Sequence, residues 1–473
     1  NRWRDVHLAA CRAHAVGEHA AEIHGLQTTC LGRRRDAFEA LVERLSTGDA
    51  TIAIEAIEAA RELPAPERCD DIGALTAAVP PPDDPAIATE VEVLRRKLAQ
   101  ARVALDLHRF DEGVAITGPV VERAEALGYV PLRAEALFLH GRLLESGDDD
   151  ELVVRVLTRS LWQAERVRDD PLVAKAMADL MRVLAYTVDR RDEALRWRDH
   201  AEAMIDRLGD ASAEAAGLRA ILGILMADEG RYDEAEGLLR KALADVTTHH
   251  GQDAGNARMA RKMLANVLAV RGRTAEALAM YQEMLARLEV VYGPEHPRLV
   301  EALSRIASTE MSLGAPEEAL RLVERAQAIV DAVYGPGHSS GDVLAQQRSY
   351  FLSNLGRHRE AVAALDPHIV ALERRGVSPQ KRAVAINTRA ALRTRMGDWS
   401  GALVDLREAQ RLLREAGKQE SRTAGILDLN LAEVMLHLGE KEAARASLAD
   451  ARAKLERQRD GDIEQTRSVI AVL

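Results

Sequence analysis

The chain has 473 residues, of which 29% are charged and only 3% aromatic. That length exceeds what one compact core uses, so a quasi-linear stack of helical units is the natural arrangement, and the scarcity of aromatics argues against sheets and base-stacking surfaces. A formal net charge of −11 and a pI near 5.8 disfavour general binding to nucleic acid or to anionic membranes.

Asn1 stands where an initiator Met is expected, which marks a processed or excised piece. No apolar run approaches the about 18 residues of a membrane helix, so no direct membrane insertion is expected. Residues 1–79 read as a helical cap region. Trp3, Val6, Leu8, Ala9 and Cys11 begin one amphipathic pattern, residues 37–45 form a second and 52–63 a third, followed by a short helix over 69–78. Cys11, Cys30 and Cys69 all fall here; buried thiols are the favoured reading, with a disulfide as the alternative. Residues 80–85, Pro-Pro-Pro-Asp-Asp-Pro, form a stiff linker, because consecutive prolines forbid helix.

From residue 86 to 473 the chain repeats. A turn position recurs at His108, Gly147, Asp189, Gly230, Gly272, Gly314, Gly356, Gly397 and Gly439, with steps of 39 to 42 residues, giving nine units. Glycine suits a helix end where φ is positive; His108 and Asp189 depart from that pattern. Five residues after the turn comes Ala194, Ala235, Ala277, Ala319, Ala361, Ala402 or Ala444. Seven before it, from the fourth unit onward, comes Gly223, Ala265, Ala307, Ser349, Ala390 or Ala432. Small residues on both helices of a pair let them cross closely. A second signal at Gly251, Gly293 and Gly335 keeps the same beat, and His296 and His338 in equivalent linkers point to a structural capping role.

These offsets resemble the tetratricopeptide repeat, and the resemblance covers residues 86–473. Each unit carries about eight residues more than the family's roughly 34, as in the long repeats of kinesin light chains. The resemblance implies an all-α solenoid, a right-handed superhelix of helical hairpins whose concave face is lined by the first helix of each pair. Transferring the family's offsets selects Lys262, Asn266, Arg305, Ser308, Gln346, Tyr350, Asn354, Asn387, Arg395, Asn430 and Glu433 as peptide-groove candidates. Amides interspersed with cations suit an extended peptide, whose backbone needs donors and acceptors. Lys262 and Asn266 match two positions of the family's carboxylate clamp, whereas Arg305, Val343 and Gln347 depart from it.

The N-terminal block carries a second resemblance. Trp3, Cys11, Gly17 and Gln27, then Cys30-Leu31-Gly32-Arg33-Arg34, Leu63, Cys69-Asp70 and Leu75 ahead of the proline run, look like the region C-terminal to the catalytic domain in large bacterial serine/threonine protein kinases. It implies a sensor or regulatory arm, extracytoplasmic if membrane-tethered and otherwise cytoplasmic, that binds a protein or peptide or self-associates. The alternatives are a free-standing peptide-sensing regulator of transcription or phosphotransfer, and an enzyme whose site lies in the N-terminal block.

Catalytic and cofactor signatures fail on inspection, so none is assigned. Residues 335–341 imitate a phosphate loop without its spacing or a preceding strand, and Gly417-Lys418 lacks the earlier glycine. His14, His19 and His24, five residues apart, diverge by about 140° if they share one helix, which argues against zinc. Asp148-Asp149-Asp150 lacks calcium-loop spacing, and Arg33-Arg34-Arg35 reads as a solvated face.

Overall fold

The computed structural model describes residues 2–47, 50–77, 79–147, 149–188, 190–250 and 255–457. The expectations for Asp148, Asp189, Gly251 and the tail beyond residue 457 lie outside these. Among the described residues every regular element is helical, and the chain divides into two compact units, Asn1–Arg273 and Thr274–Leu473.

In the first unit the opening helix Arg2–Ala15 ends at a turn containing Gly17 with φ of 79°, and Ala21–Thr47 runs on as one long helix that absorbs the expected 37–45 segment. Ala50–Arg61 follows, then a single 3-10 turn, Pro66–Asp70, and the short helix Ile72–Ala77. Cys69 therefore lies in the turn rather than in a helix. Cys30 and Cys69 are joined in a disulfide, so the favoured reading of three thiols holds only for Cys11. The two half-cystines pack with Val6, Leu31 and Trp3, whose indole N–H donates to the Leu31 carbonyl at 2.8 Å.

Helix Pro85–Asp106 opens the repeats. Its start is set locally: Asp84 accepts from the Ala86 N–H at 2.7 Å, and Pro85, which has no N–H to leave unpaired, takes the first turn. It packs against Ala21–Thr47, with Val103 in one cluster with Ala40 and Leu41 and Glu92 bonded by Arg33, while Arg44 bonds Glu112 of the next helix. Phe110–Leu127 completes this pair. Val130–Leu144 with Asp150–Arg166, and Ala213–Asp228 with Tyr232–His250, form further hairpins, and Gly255–Val270 closes the unit. Between them, Asp170–Tyr186 faces a second helix broken at Trp197 into Arg191–Arg196 and Arg198–Leu208.

The second unit opens with Thr274–Tyr292 and continues as four hairpins: Val300–Ser312 with Pro316–Tyr334, Asp342–Asn354 with His358–Arg374, Pro379–Arg395 with Trp399–Glu415, and Arg422–His437 with Lys441–Arg457. Each turn is closed as at Gly356, which has φ of 73°: its N–H donates to the Ser353 carbonyl and the next N–H, of Arg357, to the Leu352 carbonyl, satisfying the last turn's orphan carbonyls. His108 takes the same left-handed conformation at φ of 56° with the same two bonds, so a histidine does a glycine's work there. Gly147 departs from the expectation, since its φ is not positive.

The small-residue positions are buried. Ala277, Ala307, Ala319, Ser349, Ala361, Ala390 and Ala402 are fully inaccessible, and a Cβ on Gly223 would lie 2.8 Å from Leu239 and 3.3 Å from the Ala235 carbonyl. The helices of these pairs approach as closely as their backbones permit. His296 and His338 cap the 3-10 turns Pro297–Leu299 and Ser339–Gly341, each Nδ1 accepting a backbone N–H two residues on at 3.1 and 3.2 Å. The His338 ring stacks on Tyr334 and the His296 ring packs tilted against Tyr292, which fixes the linker against the helix it leaves.

Candidate functional site

All eleven groove candidates stand on helices. Lys262 and Asn266 lie on Gly255–Val270 in the first unit and the other nine, on first helices of hairpins, in the second. Lys262 and Asn266 are half-buried one turn apart, with the Asn266 amide 3.8 Å from the Met263 sulfur.

In the second unit, neighbouring first helices are laced by side-chain bonds. Gln347 accepts from the Ser304 hydroxyl at 2.8 Å and donates to the Ser308 hydroxyl at 2.7 Å; Asn430 donates to Asn387 at 2.9 Å. Arg395 reaches the Ser353 hydroxyl at 3.5 Å, and the Asn354 amide turns back to the Tyr350 carbonyl. Ser308, Gln346 and Tyr350 come together with Met311, Ser312, Gln347 and Phe351 around an open depression of about 440 Å³. Tyr350 is 58% exposed over it. Arg305 does not line it; its charge acts on the buried Tyr281 hydroxyl, which burial pushes up and Arg305 draws partly back.

One feature of this face escaped the sequence reading. Val343, Val384 and Ile426 occupy the same position, thirteen residues before each turn glycine, and are 61%, 40% and 40% exposed. They precede Gln346, Asn387 and Asn430 by about one turn on the same side of the helix. The signal was an apolar residue recurring at a register position facing outward, visible once three repeats are superposed. The resulting surface joins amides, hydroxyls and apolar side chains with the charged Arg305, Arg395 and Glu433.

The ion pairs lie elsewhere. Arg389 and Arg393 converge on the buried Asp405, and Lys454 and Gln410 on the buried Asp428. In the first unit burial pushes the Glu214 carboxyl up, but Lys175 and Arg68 outweigh it and hold it at about 2. Among the described residues no group of three or more His, Cys, Asp or Glu side chains is disposed to hold a metal ion. His14 and His24 do not share a helix, because the chain folds back after Ala15 and stacks their rings 4.6 Å apart.

Residues 256–330 match the family profile of the tetratricopeptide repeat. No curated protein matches the chain. Among solved structures, a signal transduction ATPase with numerous domains carrying a tetratricopeptide repeat sensor, from Pyrococcus horikoshii, is 13% identical, with 78% of this chain and 53% of that chain covered and a TM-score of 0.56. The apo quorum sensor NprR from B. thuringiensis is 15% identical, with 77% and 99% covered and a TM-score of 0.52. Kinesin light chain TPR-like repeats from Podospora anserina are 19% identical, with 42% and 96% covered and a TM-score of 0.39. The fold is all-α, of tetratricopeptide-like helical hairpins. Among the described residues no helix is long and apolar enough to cross a membrane.

Proposed function

We propose that the first-helix face of the second unit receives an extended peptide. The observation that carries this reading is the lacing of neighbouring first helices, Ser304 and Ser308 with Gln347 and Asn387 with Asn430, beside the exposed row Val343, Val384 and Ile426. Peptide backbone groups need hydrogen-bond partners on binding, and amides whose rotamers are already held lose little further entropy in supplying them. The apolar row would take alternate side chains of the peptide.

Peptides selected from a random twelve-residue phage library would be titrated onto the intact chain by fluorescence anisotropy. The double variant Gln346→Ala with Tyr350→Ala is expected to weaken binding by about tenfold or more, and Val384→Asp similarly. Affinity unchanged in both variants would remove the face from the function.

We further propose that this recognition serves a sensory role, as the regulatory arm of a bacterial serine/threonine protein kinase. The resemblance of residues 3–75 to the region that follows such catalytic domains supports it. A longer chain in which a kinase domain precedes these residues should change its autophosphorylation rate when a selected peptide saturates the face; an unresponsive rate would leave the second reading. In that reading the protein is a free-standing sensor of peptides, favoured by its fold-level likeness to a quorum sensor and to a signal-transduction sensor.

A further inference from the structure

We propose that Arg34 and Arg68 form a site for a small oxyanion, the phosphate or carboxylate group of a ligand, assembled by the Cys30–Cys69 disulfide. Arg34 is half-buried on Ala21–Thr47, its Nε is buried without a hydrogen-bond partner, and it makes no ion pair among the described residues. Two other half-buried arginines of this unit are matched, Arg95 by Glu92 and Glu135 and Arg182 by Glu145 and Asp179. Arg33 is itself engaged by Glu92 at 2.8 Å. Arg68 has Glu214 at 3.4 Å, and Glu214 also holds Lys175 at 3.3 Å, leaving cations in excess.

Burial lowers the Arg34 pKa, and the like charges of Arg68 and Arg33 lower it further. A guanidinium keeps its proton under such pressure, so the charge stays and calls for a counter-charge. Two guanidinium groups present the forked donors that fit phosphate or carboxylate oxygens.

The disulfide supplies the assembly. Cys30 lies one helical turn before Arg34 and therefore on the same face, and Arg68 immediately precedes Cys69, with the half-cystine Cα atoms 5.7 Å apart. Gln27 adds a bond to the Cys69 carbonyl at 3.4 Å. Without the covalent link, repulsion between Arg34 and Arg68 favours separation of the 3-10 turn from the long helix. Oxyanion binding and the oxidised state are thus linked.

Calorimetric titration of inorganic phosphate into the oxidised chain, with ionic strength held constant by NaCl, tests this. Saturable binding at one site is expected, weakened about tenfold or more in Arg34→Gln, in Arg68→Gln and after reduction, with the helical circular dichroism retained. A parallel titration with acetate separates the sources: preference for phosphate assigns a phosphate group, preference for acetate a carboxylate, and either supports the site. Absence of saturable binding to both anions, or binding in Arg68→Gln equal to wild type, overturns it. Equal binding before and after reduction overturns the role of the disulfide. Should Arg34→Gln lose its fold, Arg68→Gln on the exposed side decides.

Discussion

Residues 2–77 and the hairpins of residues 300–457 are built from similar helices, yet they are held by different means. In the hairpins each turn is closed by a left-handed glycine, each crossing by an alanine or serine, and the linkers at His296 and His338 by a histidine cap. These devices act within a few residues, so each repeat carries its own instructions. The N-terminal region has no such period. Its helices differ in length, and contacts distant in sequence hold them: the Cys30–Cys69 disulfide, Trp3 on Leu31, Arg33 on Glu92 and Arg44 on Glu112. Regularity lets local chemistry suffice, and its loss is made up by cross-links.

The largest effect that tests this contrast is removal of the disulfide. The half-cystines are 39 residues apart, and Cys30→Ala with Cys69→Ala is expected to cost about 4 kcal/mol by loop entropy. Hydrogen exchange should accelerate in residues 2–77 and stay slow in 300–457; equal acceleration in both would break the comparison. Next come the crossings. Ala319→Leu, at a fully buried position, should overpack its hairpin and cost about 1 to 3 kcal/mol in urea unfolding. Ala277→Leu should do the same, and variants that unfold like the parent would contradict the crossing register.

A turn substitution is smaller. A Cβ on Gly314 meets nothing within 4 Å, so Gly314→Ala costs only the backbone term at φ of 82°, about 1 to 2 kcal/mol. A loss much above that would mean the turn is packed rather than merely bent. The smallest effect is protonic. Burial holds the His368 pKa below its ordinary value, with Arg375 adding to this and Asp342 opposing it. The unfolded chain therefore takes up this proton first, so stability is fullest above about pH 6.5. It declines as pH falls from there toward the lower folded value. His368→Gln should flatten that decline in the urea midpoint between about pH 7.5 and 5.

Much of the fold was legible because its requirements are local. A residue at positive φ, a close helix crossing and a linker cap each demand a particular side chain, and the chain states them again every 41 or 42 residues from Gly230 onward. The same reading missed the helix break after Ala15, and with it the stacking of His14 on His24, because nothing periodic marks that turn. It favoured thiols over a disulfide, since pairing depends on a chain path that spacing does not reveal. On the proposed face, Gln346, Tyr350, Asn387 and Asn430 were selected by register, whereas Gln347's bonds and the row Val343, Val384 and Ile426 depend on which neighbour each helix meets.

Taken alone, then, the order of amino acids decides that helices pair, where each pair turns and which positions must stay small, since those demands are met within about one turn of backbone. Only the folded chain decides that Cys30 finds Cys69, that Asn430 reaches Asn387 and that Arg33 meets Glu92. Those partners are tens of residues apart, and their meeting is set by how successive helices pack rather than by any residue's own preference.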